Sequence, residues 1–189
     1  MHTIEPYYNW RHLYIASDDR LSPFFGREYS EFEFSNAIYD HYIHPQWDEF
    51  GSATLYLKLL YVNYDLGYCI IELIGEWNDC LYNDIMYLKR NVADILIGNG
   101  IKKFILIGEN VLNFHSSECD YYQEWHEDIE DGWITLVNFR DHVLDEFMNA
   151  GIDYYLTLGK PLSELNWQNL TPLRLYEKVN SSITKRLPI

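Results

Sequence analysis

The sequence predicts an α/β fold with a mixed sheet, in which an N-terminal antiparallel hairpin is followed by parallel strands joined by crossover helices. Two β-rich apolar runs separated by a turn-forming loop indicate the hairpin. Beyond them, an amphipathic stripe of helical period and further short apolar runs alternate along the chain, which favours parallel strands with helices on the sheet faces. The chain has 189 residues, of which 48% are hydrophobic, enough for one well-formed core.

The hairpin is predicted from Thr54–Val62 and Tyr68–Gly75, two runs of strand-forming residues. The connecting residues 63–67 contain the Asn, Asp and Gly that such loops favour. If the chain reverses there, Lys58 lies opposite Glu72, and opposite charges on paired strands attract each other.

A helix is predicted next, capped by Asn78 or Asp79, because a short side-chain oxygen can accept a free amide of the first turn. Apolar residues then recur at spacings of three and four: Leu81, Ile85, Leu88, Val92 and Ile95. Gly98 and Gly100 mark its end.

The remaining elements of the core are shorter. Strands are predicted at Lys103–Gly108 and Trp133–Val137, with a helix in the segment between them. A further helix over Asp141–Ala150 ends at Gly151, and a last strand follows over Ile152–Leu158. The inward residues of that helix are predicted to be Val143, Leu144, Phe147 and Met148.

We expect residues 1–189 to form a single domain. Residues 54–160 would be its α/β core, and residues 161–189 a C-terminal helical tail. Residues 1–50 would be an N-terminal extension packed on the core, with candidate strands at His12–Ser17 and Glu31–Phe34.

The composition limits the classes of partner. With 29 acidic and 14 basic residues the net charge is −15, which opposes binding to nucleic acids and to anionic membranes. The three cysteines follow no C-x-x-C spacing, and no apolar run approaches the ~20 residues of a membrane span. A cytoplasmic protein is therefore expected. Neither glycine-rich nucleotide-binding motif occurs, so no cofactor is expected.

From about residue 68 to residue 159 the chain resembles the STAS domain of anti-sigma-factor antagonists and sulfate transporters. Ile74-Gly75-Glu76, which precedes the capped helix, is similar to that family's Gly-Glu-Leu-Asp turn. Val111–Ser117 follows a strand where the family has a loop and then Asp-Ser-Ser-Gly. Residues 131–152 resemble the family's final turn, strand and helix. His115 replaces the Asp of the serine motif and Glu118 replaces its Gly.

The resemblance implies a STAS-like fold and a non-catalytic, cytosolic interaction or regulatory module with a protein partner. It implies that residues 113–118 and the helix after them form the contact surface. The family's phosphate-accepting serine corresponds to Ser117, so Ser116 and Ser117 are candidate phosphorylation or contact residues. Added phosphate charge at a helix amino terminus interacts strongly with the free amides there.

Two other functions are left open by the residues. His115, Cys119 and His126 lie in an acidic segment and are ligand types for zinc, which makes a metal-assisted hydrolase the first alternative. Their spacing matches no standard zinc pattern, and the acidic residues of this segment are more typical of the solvated face of a helix or loop. The second alternative is a structural module that forms homo-oligomers through an aromatic surface, since the chain contains 17 Tyr, 9 Phe and 6 Trp.

Overall fold

A four-stranded mixed sheet forms the centre of the computed structural model, which describes residues 4–185. The predicted extension and tail include residues 1–3 and 186–189, which lie outside the described residues. The strands of the sheet are β3 (Leu55–Asn63), β4 (Tyr68–Asn78), β5 (Lys103–His115) and β6 (Trp133–Val137), and a separate ribbon consists of β1 (Ala37–Ile38) and β2 (His41–Tyr42). The sheet order is β3-β4-β5-β6, with β3 antiparallel to β4 and the other neighbours parallel. The predicted α/β fold class is confirmed.

Helical segments connect and follow the strands. Between β4 and β5 lie α1 (Asp79–Tyr82), α2 (Asp84–Leu88), a π-helical turn (Lys89–Ala93) and α3 (Asp94–Gly98). Later in the chain come α4 (Asp120–Asp128), α5 (Asp141–Asn149) and α6 (Pro172–Thr184), with short 3₁₀ turns at Ile152–Tyr154, Leu162–Glu164 and Trp167–Asn169. Within residues 4–185, no helix has the length and apolar character that crossing a membrane requires.

The hairpin has the predicted register, because Lys58 pairs with Glu72. The predicted attraction between these two side chains is wrong, however. The ammonium of Lys58 lies 3.2 Å from Oδ2 of Asp48 and donates a hydrogen bond of 2.8 Å to the carbonyl of Gln46. Asp48 is buried and bridges the outer edge of β3 at Leu57, so it offers a nearer carboxylate than Glu72 does.

The long helix predicted after β4 is broken in two ways. Asn83 adopts a left-handed conformation (φ 54°) that separates α1 from α2. The π-helical turn then adds a residue to one turn and rotates the buried face. As a result, Leu81 and Ile95 are exposed, contrary to the predicted stripe, and Leu96 is buried instead.

Strand β5 continues well past the predicted end at Gly108. Its second half contains several polar residues, but Val111 and Phe114 are buried, and pairing with β4 persists to His115. Two irregularities in the pairing accommodate this half, one of them opposite Leu73. The loop that the resemblance implies within Val111–Ser117 is therefore strand as far as His115.

The predicted final strand, Ile152–Leu158, is wrong. The segment begins as a 3₁₀ turn, and only Thr157 pairs with the sheet, bridging Thr135 on the outer edge of β6. Its N–H donates to the carbonyl of Ile134 at 2.8 Å, and its carbonyl accepts from Leu136 at 2.9 Å. Helix α5 buries three of its four predicted inward residues, whereas Met148 is exposed.

Both faces of the sheet are covered. Helices α2 to α5 pack on one face and bury, among others, Trp77, Phe104 and Phe147. The opposite face is covered by the N-terminal segment and by α6, where Trp10 and Trp167 lie 5.6 Å apart in a T-shaped contact.

The N-terminal strands predicted at His12–Ser17 and Glu31–Phe34 are absent from the described residues. Residues 12–17 form turns, with hydrogen bonds such as Leu13 N–H to the carbonyl of Trp10. Phe32, predicted as part of a half-buried strand, is 88% exposed. The outer edge of β3 is bridged at Leu57 by Asp48 and not by either of these segments.

Candidate functional site

The candidate site lies where the carboxyl ends of β4 and β5 meet. The two strands are parallel, and their last residues, Asn78 and His115, are paired. From there the chain enters α1 on one side and residues 116–119 on the other. Ligand sites of α/β sheets are commonly found outside the carboxyl ends of such strands. The topology therefore brings the serine pair predicted from sequence next to the first helical turn.

His115 is held by the strand beside it. Its Nε2 lies 2.7 Å from Oε1 of Glu76, and the hydroxyl of Tyr39 donates to the other oxygen of Glu76 at 2.9 Å. Tyr39 lies at the turn between β1 and β2 with a positive φ of 52°. These contacts tie the small ribbon to the end of the sheet.

Ser116 and Ser117 are exposed, and α4 begins only at Asp120, with Cys119 at its N-cap. Ser117 therefore lies two residues before the N-cap and not in the first turn of the helix. It lines a cavity of about 260 Å³ together with residues of α1 and α4. Glu118 and Asp120 also line this cavity, whose lining, all within residues 4–185, contains no Lys or Arg.

A buried carboxylate, Asp79, forms the floor of this cavity. Its Oδ1 accepts hydrogen bonds from the indole N–H of Trp77 at 3.0 Å and from the backbone N–H of Ile85 at 2.8 Å. Its Oδ2 accepts from the hydroxyl of Tyr122 at 2.6 Å. Burial raises the pKa of Asp79 to about 6, although all three hydrogen bonds favour the ionised form. The group joins β4, α2 and α4 and fixes their relative positions.

Two large apolar side chains are exposed on the turn above this floor. Leu81 is 74% exposed and Tyr82 is 43% exposed. The apolar spacing predicts Leu81 in the core, so the exposure of Leu81 and Tyr82 is not predicted from it. Asn83 carried the signal, because Asn adopts the left-handed conformation more readily than most residues and can end a helix after one turn.

The three metal candidates are not brought together. His115 pairs with Glu76, the thiol of Cys119 donates to the carbonyl of Ala150 at 3.5 Å, and His126 packs edge-on against Tyr155. Within residues 4–185, no group of three or more His, Cys, Asp or Glu side chains has an arrangement that could hold a metal ion. Burial and the neighbouring Asp120 raise the pKa of Cys119, which disfavours the thiolate that would bind metal or attack a substrate.

No family model matches the chain, and no curated protein is similar enough in sequence to match it. Among solved structures, the chain is similar to the Bacillus cell fate determinant SpoIIAA in its phosphorylated form, with 14% sequence identity. The similarity covers 65% of this chain and 98% of SpoIIAA, with a TM-score of 0.39. The similarity is remote.

Proposed function

We propose that this chain is a non-catalytic, cytosolic protein-interaction module. Its contact surface would be the α1–loop surface, which we define as Leu81, Tyr82, Ser116, Ser117 and Glu118. The observation that carries the proposal is the exposure of Leu81, which projects from a four-residue helical turn beside an exposed serine pair. Apolar side chains exposed within a polar rim are typical of protein interfaces.

The chemistry of the partner follows from the charges. Glu118 and Asp120 border the apolar residues, and the whole chain carries a net charge of −15. A partner that presents an apolar side chain flanked by Lys or Arg would complement this surface in both shape and potential. The unpaired cysteines, with Cys80 exposed, support a reducing compartment such as the cytosol.

A photoreactive phenylalanine analogue placed at Leu81 would test the proposal in cells. The matched control carries the same analogue at Leu173, a leucine on α6 that is 46% exposed. We expect one protein to be crosslinked from position 81 and not from position 173. The purified partner should then bind the wild-type chain and bind Leu81→Asp at least about tenfold more weakly. Equal crosslinking from both positions, or unchanged binding by Leu81→Asp, would contradict it.

Self-association is a second candidate function, favoured by exposed aromatic side chains of the N-terminal segment such as Phe25 and Phe32. Sedimentation velocity over a range of concentrations tests it. A weight-average mass that rises with concentration in the wild type, and does not rise in Phe25→Ser/Phe32→Ser, would support this function. A monomer at every concentration would refute it.

A further inference from the structure

A second cavity, of about 130 Å³, lies between the N-terminal segment and β3. Its walls are largely aromatic and aliphatic and include Tyr7, Tyr14, Tyr29 and Leu60. Among residues 4–185, the charged residues that line it are Arg11 and Lys58. The lining therefore contains two cations and no acid, in a chain with about twice as many acidic as basic residues.

Carboxylates lie behind the cavity walls: Asp19 and Asp48 accept hydrogen bonds from the hydroxyls of Tyr14 and Tyr29, and Glu72 accepts one from the backbone N–H of Tyr7. Among the described residues, Arg11 is the lining cation that no carboxylate pairs with. Lys58 and Arg27 share one buried carboxylate, that of Asp48, at 3.2 Å and 3.3 Å. The ammonium of Lys58 also lies 3.8 Å from the centre of the Tyr29 ring. Burial lowers the pKa of Lys58, the carboxylate of Asp48 opposes this shift in part, and Arg11 and Arg27 add to it. An added anion would relieve this repulsion.

The guanidinium of Arg11 has N–H donors that can bind a ligand. It is exposed at the cavity, and among the described residues its side chain makes one hydrogen bond, of 3.0 Å, to Oε1 of Gln46. A guanidinium carries five N–H donors in a planar fork that matches a carboxylate. Lys58, by contrast, is engaged by Gln46, Asp48 and Tyr29, so it contributes potential and Arg11 contributes the contact.

We propose that this cavity binds a small monocarboxylate. Arg11 would hold the carboxylate, and the ligand's apolar part would lie against the tyrosine rings and Leu60. The cavity is smaller than the roughly 300–1,000 Å³ of pockets for drug-sized ligands, which limits the ligand to about the size of benzoate. The site is separate from the α1–loop surface and does not depend on the function proposed for it.

Benzoate and its neutral isostere benzamide are the probes, and the indole N–H of Trp10, which lines the cavity, is the reporter in a heteronuclear NMR titration. We expect benzoate to shift this signal at millimolar concentrations and benzamide to bind at least about tenfold more weakly. Arg11→Gln should weaken benzoate binding by about tenfold or more. Arg20→Gln, an exposed arginine that does not line the cavity, should not change it.

A second variant, which keeps Arg11 in place, distinguishes loss of the Arg11 contact from an indirect structural effect of replacing Arg11. Gln46→Glu places a carboxylate beside Arg11 and should abolish benzoate binding while the melting temperature stays near that of the wild type. The proposal is overturned if benzoate and benzamide bind equally or if neither shifts the Trp10 signal. Binding by Arg11→Gln and Gln46→Glu that equals the wild type would overturn it as well.

Discussion

The hydroxyl of Tyr122 on α4 donates a 2.6 Å hydrogen bond to Oδ2 of Asp79, the first residue of α1. Both residues are buried, and Trp77 and Ile85 complete the set of donors around the carboxylate. The end of β4 and the start of α4 are therefore joined beneath the α1–loop surface. Because this floor is fixed, a ligand or partner would meet a preformed arrangement.

Removing this hydrogen bond should lower the free energy of unfolding. We expect Tyr122→Phe to cost about 1–2 kcal/mol, since it leaves one buried oxygen short of a donor. Asp79→Ala should cost more, about 3 kcal/mol, because three donors lose their acceptor. Urea denaturation followed by tryptophan fluorescence measures both. Tyr154→Phe, at an exposed tyrosine, serves as the control and should change stability by less than about 0.5 kcal/mol. Equal effects of Tyr122→Phe and Tyr154→Phe would contradict the prediction.

Glu72 should make the protein less stable as the pH rises. Burial raises its pKa from 4.5 to about 7 in the folded protein, and the nearby Glu109 adds to the shift. The folded state therefore holds the proton more tightly than the unfolded chain does. The resulting stabilisation is fully present below about pH 4.5 and is lost as the pH rises through about 7. The shift corresponds to roughly 3 kcal/mol.

Glu72→Gln tests this, because glutamine stays neutral and can still accept the hydrogen bond from the N–H of Tyr7. We expect the variant to be more stable than the wild type at about pH 8 and to show a smaller loss of stability between about pH 5 and pH 8. Asp79, with its own raised pKa of about 6, should supply part of the remaining slope. Glu146→Gln, at an exposed position of α5, should keep the slope of the wild type. A Glu72→Gln slope equal to that of the wild type would refute the assignment.

Two glycines should respond oppositely to substitution by alanine. Gly75 has a φ of 118°, and a Cβ there would lie 2.1 Å from the carbonyl oxygen of Thr54, which is backbone and cannot move aside. Gly75→Ala should therefore cost more than about 3 kcal/mol or prevent folding. Gly98, in the last turn of α3, has open space around a built Cβ, and Gly98→Ala should be neutral or stabilising by up to about 1 kcal/mol. Thermal unfolding followed by circular dichroism compares the two variants. A stable Gly75→Ala would show that the close approach to Thr54 is wrong.

Lys89 should hold the helices after β4 against α4. Its buried ammonium donates to Asp94 and, at 2.7 Å, to Asp128. Lys89→Met would leave both carboxylates without this cation, at a cost of about 2 kcal/mol, because the carboxylates are partly accessible to water. Lys178→Met, at an exposed position of α6, should change little. Denaturant titration distinguishes the variants, and equal stabilities would show that the buried cation contributes nothing.

The sequence predicted those parts of the fold that depend on local patterns. The pairing of Lys58 with Glu72 could be derived because the loop fixes where the chain reverses and strand pairing then leaves no freedom. The end of β6 at Val137 and the start of α5 at Asp141 are also predicted from the sequence. The apolar run stops at Val137, and the apolar spacing of a helix begins after Asp141.

Features set by single residues or by the tertiary structure were not predictable from apolar spacing. Because Asn83 is left-handed, Leu81 is exposed and not buried, and apolar spacing alone does not predict this. The second half of β5 looks polar, but its polar side chains find partners in other elements: Glu109, for example, accepts hydrogen bonds from Asn138 and Trp167. At the site, the family resemblance predicts the serine pair Ser116 and Ser117. Their position beside the apolar side chains of α1 is not predicted, because it depends on the longer strand.

The shared coverage of one sheet face by Trp10 and by α6 has a consequence for synthesis on the ribosome. Residues that close this face, such as Leu175 and Val179, leave the exit tunnel after all four strands of the sheet. Until they emerge, the nascent chain presents Ile70, Ile105 and neighbouring apolar side chains of the sheet to the surrounding water. Chains released before α6 is complete should therefore aggregate or be retained by chaperones, whereas the helical side of the sheet can assemble while translation continues.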